Sequence, residues 1–335
     1  MQVAAQFGKD KAGVVEKPDP KAKGEFVVVK IHVAPTCTEY HGLHGDEKND
    51  CIGHEAAGEV VEVAQPGKVK VGDRVVVMPQ YPCGKCWLCL QGEYIHCQNN
   101  HEMSKLFGSN VGTATYAQYC LKQDWLLIPI PDGMSYEHAS MACCGLGPTF
   151  NAMKLMNVNA FDTVLVSGLG PVGLGGVINA RYRGARVIAT EAHPYRAELG
   201  KKLGAEAVVN PKDEDALKQV MALTGGLGVG KSVETSGVAA AKPFLIDAAR
   251  RKGHVSFVGW GGQADVGTII GKGLTLHGAW HYNLGDAPKM MQMISEVGGQ
   301  LDKQITHTFP MKDVQAAWEL QSTGNCGKVL LHPWK

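Results

Sequence analysis

Residues 164–176 read V-L-V-S-G-L-G-P-V-G-L-G-G, a short apolar run that leads directly into three glycines spaced as G-x-G-x-x-G. In this pattern the first glycine suits a tight turn, the second lets a ligand approach the backbone, and the third lets the next helix pack against the strand. The start of that helix carries a partial positive charge that favours a phosphate group. The stretch therefore predicts a dinucleotide-binding sheet, and the residues expected at the phosphates are Gly168, Gly170, Pro171, Val172 and Gly173.

An acidic residue follows this loop at the expected distance. Glu191 closes the next apolar run, about 20 residues on, where a carboxylate can accept hydrogen bonds from both ribose hydroxyls. A 2′-phosphate would meet a like charge there, so the pattern favours NAD over NADP. His193 and Arg196 lie close by and leave NADP open, and Glu191 could instead be a solvated strand end. Val258, at the end of a later strand, is a further candidate for the nucleotide site.

The same half of the chain alternates short β-branched runs with longer helical segments. This alternation predicts a doubly wound parallel sheet. The expected strands are 163–167, 186–190, 207–210, 232–234, 254–258 and 274–277. The chain before this half has β-rich runs separated by Gly and Pro, at 26–32, 74–78 and 125–131, which indicates a mostly antiparallel domain. The sequence thus predicts an α/β protein with a mostly antiparallel β domain at 1–146, a nucleotide-binding domain at 147–278, and a return to the first domain at 279–335, through a helix at 314–320 and a strand at 328–332.

Four cysteines occupy a short charged stretch, with two, two and seven residues between them. Zinc takes four thiolates in tetrahedral geometry, and two-residue spacers let neighbouring sulfurs converge on one ion. A disulfide pair or an iron–sulfur cluster are the alternatives, although the spacing matches neither common ferredoxin pattern. The segment 83–97 is therefore predicted to be a structural zinc lobe, with the ligands Cys83, Cys86, Cys89 and Cys97.

Composition narrows the class of protein. The chain has 335 residues, 19% of them charged, and a net charge of +1, which gives no reason to expect a nucleic-acid or membrane partner. No apolar run approaches the roughly 18 residues that would span a bilayer. The N-terminus lacks the pattern of a secretory signal, so the ten cysteines are expected in a reducing compartment, and we expect a cytoplasmic protein.

A second set of zinc-compatible groups is scattered along the first region, at Cys37, His54, Glu55 and Cys144. A catalytic zinc commonly has three protein ligands and one open position. Each of these residues has an ordinary explanation by itself, because buried thiols and hydrogen-bonded histidines are common in protein cores.

The order of these features resembles the zinc-dependent medium-chain alcohol and polyol dehydrogenases, nearly from end to end. The resemblance rests on Cys37, G53-H-E-A-A-G58, V71-G-D-R-V75, the four-cysteine lobe, Cys144, the glycine loop with Glu191, and G327-K-V329. It implies a GroES-like catalytic domain and a Rossmann domain with the active site in the cleft between them. It also implies a small alcohol or carbonyl substrate and a homodimer or homotetramer.

The resemblance assigns the metal ligands. Cys37, His54 and Cys144 correspond to the catalytic zinc ligands, with Glu55 as a neighbouring or exchanging carboxylate, so two Zn²⁺ ions per chain are expected. Cys143 is the alternative third thiol, although the small-residue pattern that follows favours Cys144. By the same resemblance, Lys328 would reach the pyrophosphate of the cofactor.

The implied reaction is hydride transfer between an alcohol held on zinc and NAD. Family members usually carry Ser or Thr two residues after the first zinc cysteine, to start a proton relay, and many have His three residues further on. Here these positions are Glu39 and Gly42. We hypothesise that Glu39 takes the proton of the alcohol or binds extra substrate hydroxyls, with possible help from Thr38, Tyr40, His41 and His44; the alternative is a solvent-facing Glu39.

A carboxylate near the metal favours polyols, sugars, cyclitols or amino-alcohols over simple alkyl alcohols. Trp260, Trp280 and His281 are candidates for the substrate wall, the alternative being that the tryptophans serve in packing. A second function is a non-catalytic NAD-binding scaffold stabilised by zinc, which would need one zinc ion where the enzyme needs two. A dehydrogenase of simple alcohols also remains open.

Overall fold

The computed structural model describes residues 1–335. The chain forms sixteen strands, because its short apolar runs are separated by glycine and proline. The strands are β1 (Gln2–Gly8), β2 (Lys11–Glu16), β3 (Phe26–Pro35), β4 (Lys48–Asn49), β5 (Ala56–Glu62), β6 (Arg74–Val77), β7 (Tyr119–Gln123), β8 (Leu127–Pro129), β9 (Thr163–Ser167), β10 (Arg186–Thr190), β11 (Ala207–Val209), β12 (Val229–Glu234), β13 (Ala249–Phe257), β14 (Thr275–Gly278), β15 (Ile305–Pro310) and β16 (Lys328–His332).

Twelve α-helices connect them, and most lie in the second half of the chain. They are α1 (Trp87–Leu90), α2 (Met103–Phe107), α3 (Tyr136–Ser140), α4 (Gly147–Leu155), α5 (Pro171–Tyr182), α6 (Pro194–Lys202), α7 (Ala216–Ala222), α8 (Ala241–Ala248), α9 (Val266–Lys272), α10 (Ala287–Glu296), α11 (Gly298–Gln304) and α12 (Val314–Thr323). Short 3₁₀ turns lie at Glu39–His44, Tyr94–His96, Asp124–Leu126, Leu284–Asp286 and Met311–Asp313. None of the helices is both long and apolar enough to cross a lipid bilayer.

The chain divides into two units. The first comprises Met1–Cys144, Asn283–Gly298 and Ile305–Lys335, and the second comprises Gly145–Tyr282 and Gly299–Gln304. The second unit therefore also holds residues 145–146, residues 279–282 and the segment Gly299–Gln304, all of which the sequence analysis placed with the first domain. Its α11 contributes Gln304, whose side-chain amide donates to the carbonyl of Pro171 (2.8 Å) at the start of α5.

The first unit is built around a seven-stranded sheet with the order β15-β16-β3-β5-β6-β8, and β7 also pairs with β3. All of these pairs are antiparallel except β15 with β16. Burial is nearly continuous along β3, because it pairs with β5, β7 and β16 and lies at the centre of this sheet. A separate sheet, β2-β1-β4, carries the N-terminus.

The second unit is a parallel sheet of six strands with the order β11-β10-β9-β12-β13-β14. The strand order reverses between β9 and β12, and ligands of such sheets bind beyond the carboxyl ends of the strands at this point. The glycine-rich stretch follows β9 and opens α5, so it lies at that position. The predicted fold class, α/β with a mostly antiparallel domain and a doubly wound parallel domain, is confirmed.

Candidate functional site

The four cysteines of the zinc lobe converge. The Sγ atom of Cys86 lies 3.5 Å from that of Cys89 and 3.9 Å from that of Cys97, and the Sγ atoms of Cys97 and Cys83 are 3.6 Å apart. Four thiolates at about 2.3 Å from a tetrahedral zinc ion are about 3.8 Å from one another. Backbone N–H groups also point at the sulfurs, among them that of Cys83 toward Cys97 (3.3 Å). The geometry fits a tetrahedral Zn²⁺ ion.

A second cluster forms from residues far apart in the sequence. Cys37 follows β3, His54 and Glu55 precede β5, and Cys144 lies in the turn between α3 and α4. One ligand atom from each lies within 4.8 Å of the others, and His54 Nε2 is 3.2 Å from Cys144 Sγ. Two thiols and an imidazole are typical ligands of zinc, and the carboxylate is a possible fourth. The donor set therefore fits a Zn²⁺ ion with an exchangeable position.

The charges in this cluster depend on one another. The hydrogen bond from Cys144 lowers the pKa of Cys37 against the opposing effect of burial, and the hydrogen bond from His54 lowers it further.

Of the two adjacent cysteines, Cys144 lies in this cluster, whereas Cys143 is buried in the core with its Sγ 3.4 Å from the carbonyl of Val77. Burial raises the pKa of Cys143 well above its usual range, which keeps that thiol neutral.

Glu55 is fully buried beneath the cluster. Its Oε2 accepts a hydrogen bond from the backbone N–H of Cys144 (3.0 Å), and its Oε1 lies 2.7 Å from Lys328 Nζ, which is also fully buried. Burial raises the pKa of Glu55 to about 7, against the opposing charge of Lys328. The position of Lys328 differs from the expected one at the pyrophosphate, because its ammonium group is enclosed with this carboxylate.

Glu39 also differs from its expected role. Its Oε1 lies 2.6 Å from His54 Nδ1, and its Oε2 accepts hydrogen bonds from the hydroxyl of Tyr116 (2.8 Å) and the backbone N–H of Cys37 (3.1 Å). Burial opposes ionisation, but the hydrogen bond and charge of His54 outweigh it and lower the pKa of Glu39 to about 2. The carboxylate is therefore occupied by protein groups and is not solvent-facing, with its side chain only 14% exposed.

The glycine loop of the second unit has the form expected for a phosphate cradle. Gly168 has φ of +83°, and a side chain there would meet Ser236, while a Cβ on Gly173 would come within 1.8 Å of the carbonyl oxygen of Gly168. A Cβ on Gly170 would meet nothing within 4 Å, so the backbone at that point is open to a ligand. Gly170 caps α5, whose first turn contains Pro171.

Glu191 follows β10 and is partly exposed beside this loop. Its Oε2 accepts a hydrogen bond from the backbone N–H of Leu169 (2.7 Å), and its Oε1 accepts one from His193 N–H (2.8 Å). Each carboxylate oxygen keeps a further lone pair. The carboxylate thus fixes the glycine loop and retains the capacity to accept bonds from a ribose. Arg196 lies in α6, and Val258 donates its backbone N–H to the carbonyl of Glu234 (2.9 Å) after β13.

Comparisons with known proteins decide the family. Residues 27–132 match the alcohol dehydrogenase GroES-like domain, and residues 171–296 match the zinc-binding dehydrogenase domain. The chain belongs to the zinc-dependent medium-chain alcohol dehydrogenase family.

Relatives within this dehydrogenase family span almost the whole chain. The L-threonine 3-dehydrogenase of Pyrococcus furiosus is 34% identical and covers 98% of this chain and 97% of its own length. The D-arabitol-phosphate dehydrogenase of Enterococcus avium is 31% identical and covers 97% and 94%. The solved alcohol dehydrogenase of Thermus sp. ATN1 has a TM-score of 0.90 over 99% of each chain, at 24% identity, and so shares the fold.

The other predicted site residues of this zinc dehydrogenase lie as follows. Trp260 is 74% exposed in the loop after β13, and its ring meets that of Trp280 edge to face, with 5.5 Å between ring centroids. His281 is buried, and its carbonyl accepts a hydrogen bond from Asn151 (2.7 Å). Thr38 is exposed directly after Cys37.

The remaining helpers have separate positions. The ring of Tyr40 is tilted against that of His41, with 4.1 Å between centroids, and packs against the core of the first unit. His44 Nδ1 lies 2.6 Å from a carboxylate oxygen of Asp10. Sequence reasoning missed Tyr116. That residue lies in the run T-A-T-Y-A-Q-Y, where the aromatic pattern resembles any buried strand edge, and only the fold places its hydroxyl beside Glu39.

Proposed function

We propose that this chain is an NAD-dependent dehydrogenase of secondary alcohols that carry a neighbouring hydroxyl or amino group, with two zinc ions per chain. The observation that carries the proposal is the convergence of Cys37, His54, Glu55 and Cys144 within 4.8 Å in a chain that also carries a complete four-cysteine lobe. A zinc-stabilised scaffold needs only the lobe. The second cluster supports a reaction.

The substrate class is supported by the relatives. The similar proteins include threonine and arabitol-phosphate dehydrogenases, whose named substrates are small molecules with hydroxyl groups beside an amine or further hydroxyls. The exposed edge-to-face pair of Trp260 and Trp280 offers an aromatic surface of the kind that packs against a sugar or polyol. The substrate class proposed is therefore a polyol, sugar, cyclitol or amino-alcohol.

The chain's own residues set the charge of the centre. Cys37 and Cys144 as thiolates balance a divalent ion, and the ammonium group of Lys328 lies 2.7 Å from the Oε1 atom of Glu55. Zinc, when bound, supplies a Lewis acid that lowers the pKa of a bound alcohol. His54 holds its Nε2 toward the sulfurs while Glu39 holds its Nδ1.

Thr38 is proposed as the first proton acceptor. Glu39 is occupied by three protein donors, whereas the hydroxyl of Thr38 is exposed next to Cys37 and makes no capping hydrogen bond. A positioned hydroxyl can pass a proton onward to water. Thr38→Val should lower kcat about 10²-fold at neutral pH, whereas Thr38→Ser should retain it. Equal kcat–pH profiles for Thr38→Val and the native enzyme would remove Thr38 from the proton path.

NAD is proposed as the cofactor because Glu191 presents a carboxylate where a 2′-phosphate would lie. We also propose a cytoplasmic homo-oligomer. Its support is the edge strand β14 with Leu276, beside α9 with exposed Val266 and Ile270, an apolar surface suited to a second copy. Light scattering on a sizing column would give the number of chains.

The deciding experiment combines a metal count with turnover. Purified protein is analysed for zinc and then mixed with NAD or NADP and a panel of simple alcohols, linear polyols, aldoses, cyclitols and amino-alcohols, while NADH or NADPH absorbance is followed. Two zinc ions per chain and turnover of hydroxyl- or amino-substituted alcohols support the proposal. Turnover restricted to simple alcohols contradicts the substrate class, and one zinc ion without turnover favours the scaffold.

A further inference from the structure

Tyr116 lies at the base of the second metal cluster and contacts several of its parts. Its side chain is fully buried, and its hydroxyl lies 2.8 Å from Glu39 Oε2 and 3.2 Å from the backbone nitrogen of Cys37. Its ring lies against Gly53, the residue before His54, so closely that a Cβ on that glycine would come within 2.4 Å of Tyr116 Cδ1. The side chain of Tyr116 therefore contacts the backbone of Cys37, the residue that precedes His54, and the carboxylate of Glu39.

The backbone holds Tyr116 in this place independently of its hydroxyl. The N–H of Tyr116 donates to the carbonyl of Ile52 (3.0 Å), and its own carbonyl accepts from Ala4 N–H (2.7 Å). Its ring also lies beside that of Trp318, with 6.4 Å between centroids. Removing only the hydroxyl therefore leaves the ring anchored, which makes Tyr116→Phe a clean test of the hydroxyl.

The donors around Glu39 determine which nitrogen of His54 is available to a metal. Oε2 receives two donors, the hydroxyl of Tyr116 and the N–H of Cys37, and Oε1 faces His54 Nδ1 at 2.6 Å. A carboxylate accepts and does not donate, so Nδ1 carries its proton toward Glu39. A neutral imidazole has one N–H, and Nε2 then presents its lone pair to the cluster.

We infer that Tyr116 is a positioning residue for the metal centre: it fixes Glu39, and Glu39 fixes the tautomer and orientation of His54. The inference rests on the proposed function, because it assumes that the cluster binds zinc. It also gives Glu39 a supporting role in place of proton transfer from the substrate. Loss of the hydroxyl leaves Oε2 with a single donor and frees the carboxylate to rotate away from His54.

The first experiment compares Tyr116→Phe with Tyr81→Phe. Tyr81 is a matched control, because its hydroxyl bonds the carbonyls of Thr113 (3.2 Å) and Leu121 (3.1 Å) in the same unit without touching the cluster. Partners that orient metal ligands typically contribute 10- to 100-fold to metal affinity. We expect Tyr116→Phe to weaken binding of the more labile zinc about tenfold in competition with a colorimetric chelator, and Tyr81→Phe to leave it unchanged.

A spectroscopic signature separates positioning from general destabilisation. Replacing the labile zinc with Co²⁺ gives visible absorption bands that respond to ligand orientation. These bands should shift in Tyr116→Phe and remain native in Tyr81→Phe. We also expect kcat to fall more than KM rises in Tyr116→Phe, since the ligand set and not the substrate surface is altered. Unchanged zinc affinity and Co²⁺ bands in Tyr116→Phe overturn the inference.

Glu39→Gln tests the same chain of contacts without depending on the fold of Tyr116→Phe. The amide has one acceptor and one donor end. If its oxygen faces Tyr116 and Cys37, its NH₂ group faces His54 Nδ1 and forces the proton onto Nε2; if it turns round, its NH₂ group faces the N–H of Cys37. Both arrangements contain a conflict, so we expect up to about 100-fold weaker zinc binding.

The outcomes distinguish the two levels of the proposal. A native metal count of one zinc ion per chain overturns the proposed function and, with it, the inference. Two zinc ions per chain overturn the inference alone if Tyr116→Phe keeps native zinc affinity and Co²⁺ bands, or if Glu39→Gln keeps native zinc affinity.

Discussion

The first unit holds two groups of side chains that could bind a metal ion, and they are assembled in opposite ways. The zinc lobe draws four thiols from one stretch of fifteen residues, 83–97, where two-residue spacers already bring sulfurs together. The second cluster draws Cys37, His54, Glu55 and Cys144 from three separate parts of the chain. The lobe is surrounded by its own backbone N–H groups, whereas the cluster is supported by side chains from distant elements. The geometry of the lobe therefore depends on the spacing of its cysteines along the sequence, whereas the geometry of the assembled cluster depends on the fold.

The largest effect is expected at the assembled cluster. Cys144→Ser should lower kcat/KM at least about 10³-fold, because a bound Lewis acid contributes several kcal/mol to the transition state. The count should fall to one zinc ion per chain, and the thermal unfolding midpoint should stay near native. Cys143→Ala is the matched control, because the neighbouring thiol faces the core. Loss of activity in Cys143→Ala with native Cys144→Ser kinetics would exchange the two assignments.

Removing a ligand from the lobe should reduce the stability of the protein more than it affects the assembled cluster. Cys89→Ser also removes one zinc ion, but the bound metal stabilises local structure, so we expect a loss of several kcal/mol in the free energy of unfolding. In the molecules that remain folded, the assembled cluster should keep its labile zinc. Urea denaturation and a metal count measure the two effects. An unchanged free energy of unfolding would mean that the lobe folds without its metal and that the comparison above is wrong.

The pH dependence of stability sharpens the comparison, because Lys122 ties the chain that enters the lobe to β7. Its ammonium donates to the carbonyl of Gln80 and lies 4.0 Å from the ring centroid of Tyr81, and burial lowers its pKa to about 7. Between about pH 7 and its ordinary value near 10.4, the unfolded chain binds the proton and the folded chain does not. Stability should therefore rise with pH by at most about 1.4 kcal/mol per unit over this range.

Lys122→Met should lack this contribution. We expect the difference in unfolding free energy between native and Lys122→Met proteins to change by up to about 2.7 kcal/mol from pH 7.5 to pH 9.5, in favour of the native protein at the higher pH. Below pH 7 the contribution should level off, since both states then bind the proton. Parallel urea titrations at the two pH values measure it, and equal pH slopes in the two proteins would show that Lys122 stays charged when folded.

The smallest effect is expected in the second unit. Glu191→Ala removes the carboxylate that accepts the N–H groups of Leu169 and His193, and it also removes the like charge near a 2′-phosphate. We expect the ratio of kcat/KM for NAD to that for NADP to fall about tenfold, or about 1.4 kcal/mol. Glu206→Ala is a suitable control, because that exposed carboxylate pairs with Arg186 away from the loop. A native protein that already prefers NADP would contradict the role given to Glu191.

Much of the fold was readable because its signals are local. The strands 163–167, 186–190 and 328–332 were predicted with the bounds that the structure gives, since each is a continuous apolar run ended by a turn or a glycine. Strand β13 begins at Ala249, earlier than predicted. Ala249 pairs with Val229 before an irregularity in the register, and the charged residues R-R-K that follow it lack the apolar pattern of a strand. Trp125 and Leu126 lie in a 3₁₀ turn where a strand was expected.

The ligands of the candidate site could be predicted from the sequence, whereas the residues that hold those ligands in place could not. Cys37, His54 and Cys144 could be named because their order along the chain matches the zinc ligands of the family that the sequence resembles. The partner of a buried carboxylate depends on which elements pack beside it. For this reason the sequence analysis assigned Glu39 to the substrate and Lys328 to the cofactor. In the fold, Glu39 instead contacts His54, and Lys328 pairs with Glu55.

The ion pair of Glu55 with Lys328 has a consequence for biosynthesis. It joins residues that lie 273 positions apart in the sequence. A growing polypeptide can therefore complete the lobe at 83–97 long before it can enclose Glu55. Until β16 has emerged from the ribosome, this carboxylate lacks its counter-ion. Metal loading should thus proceed in order, with the lobe filled first and the assembled cluster filled only after β16 has been made.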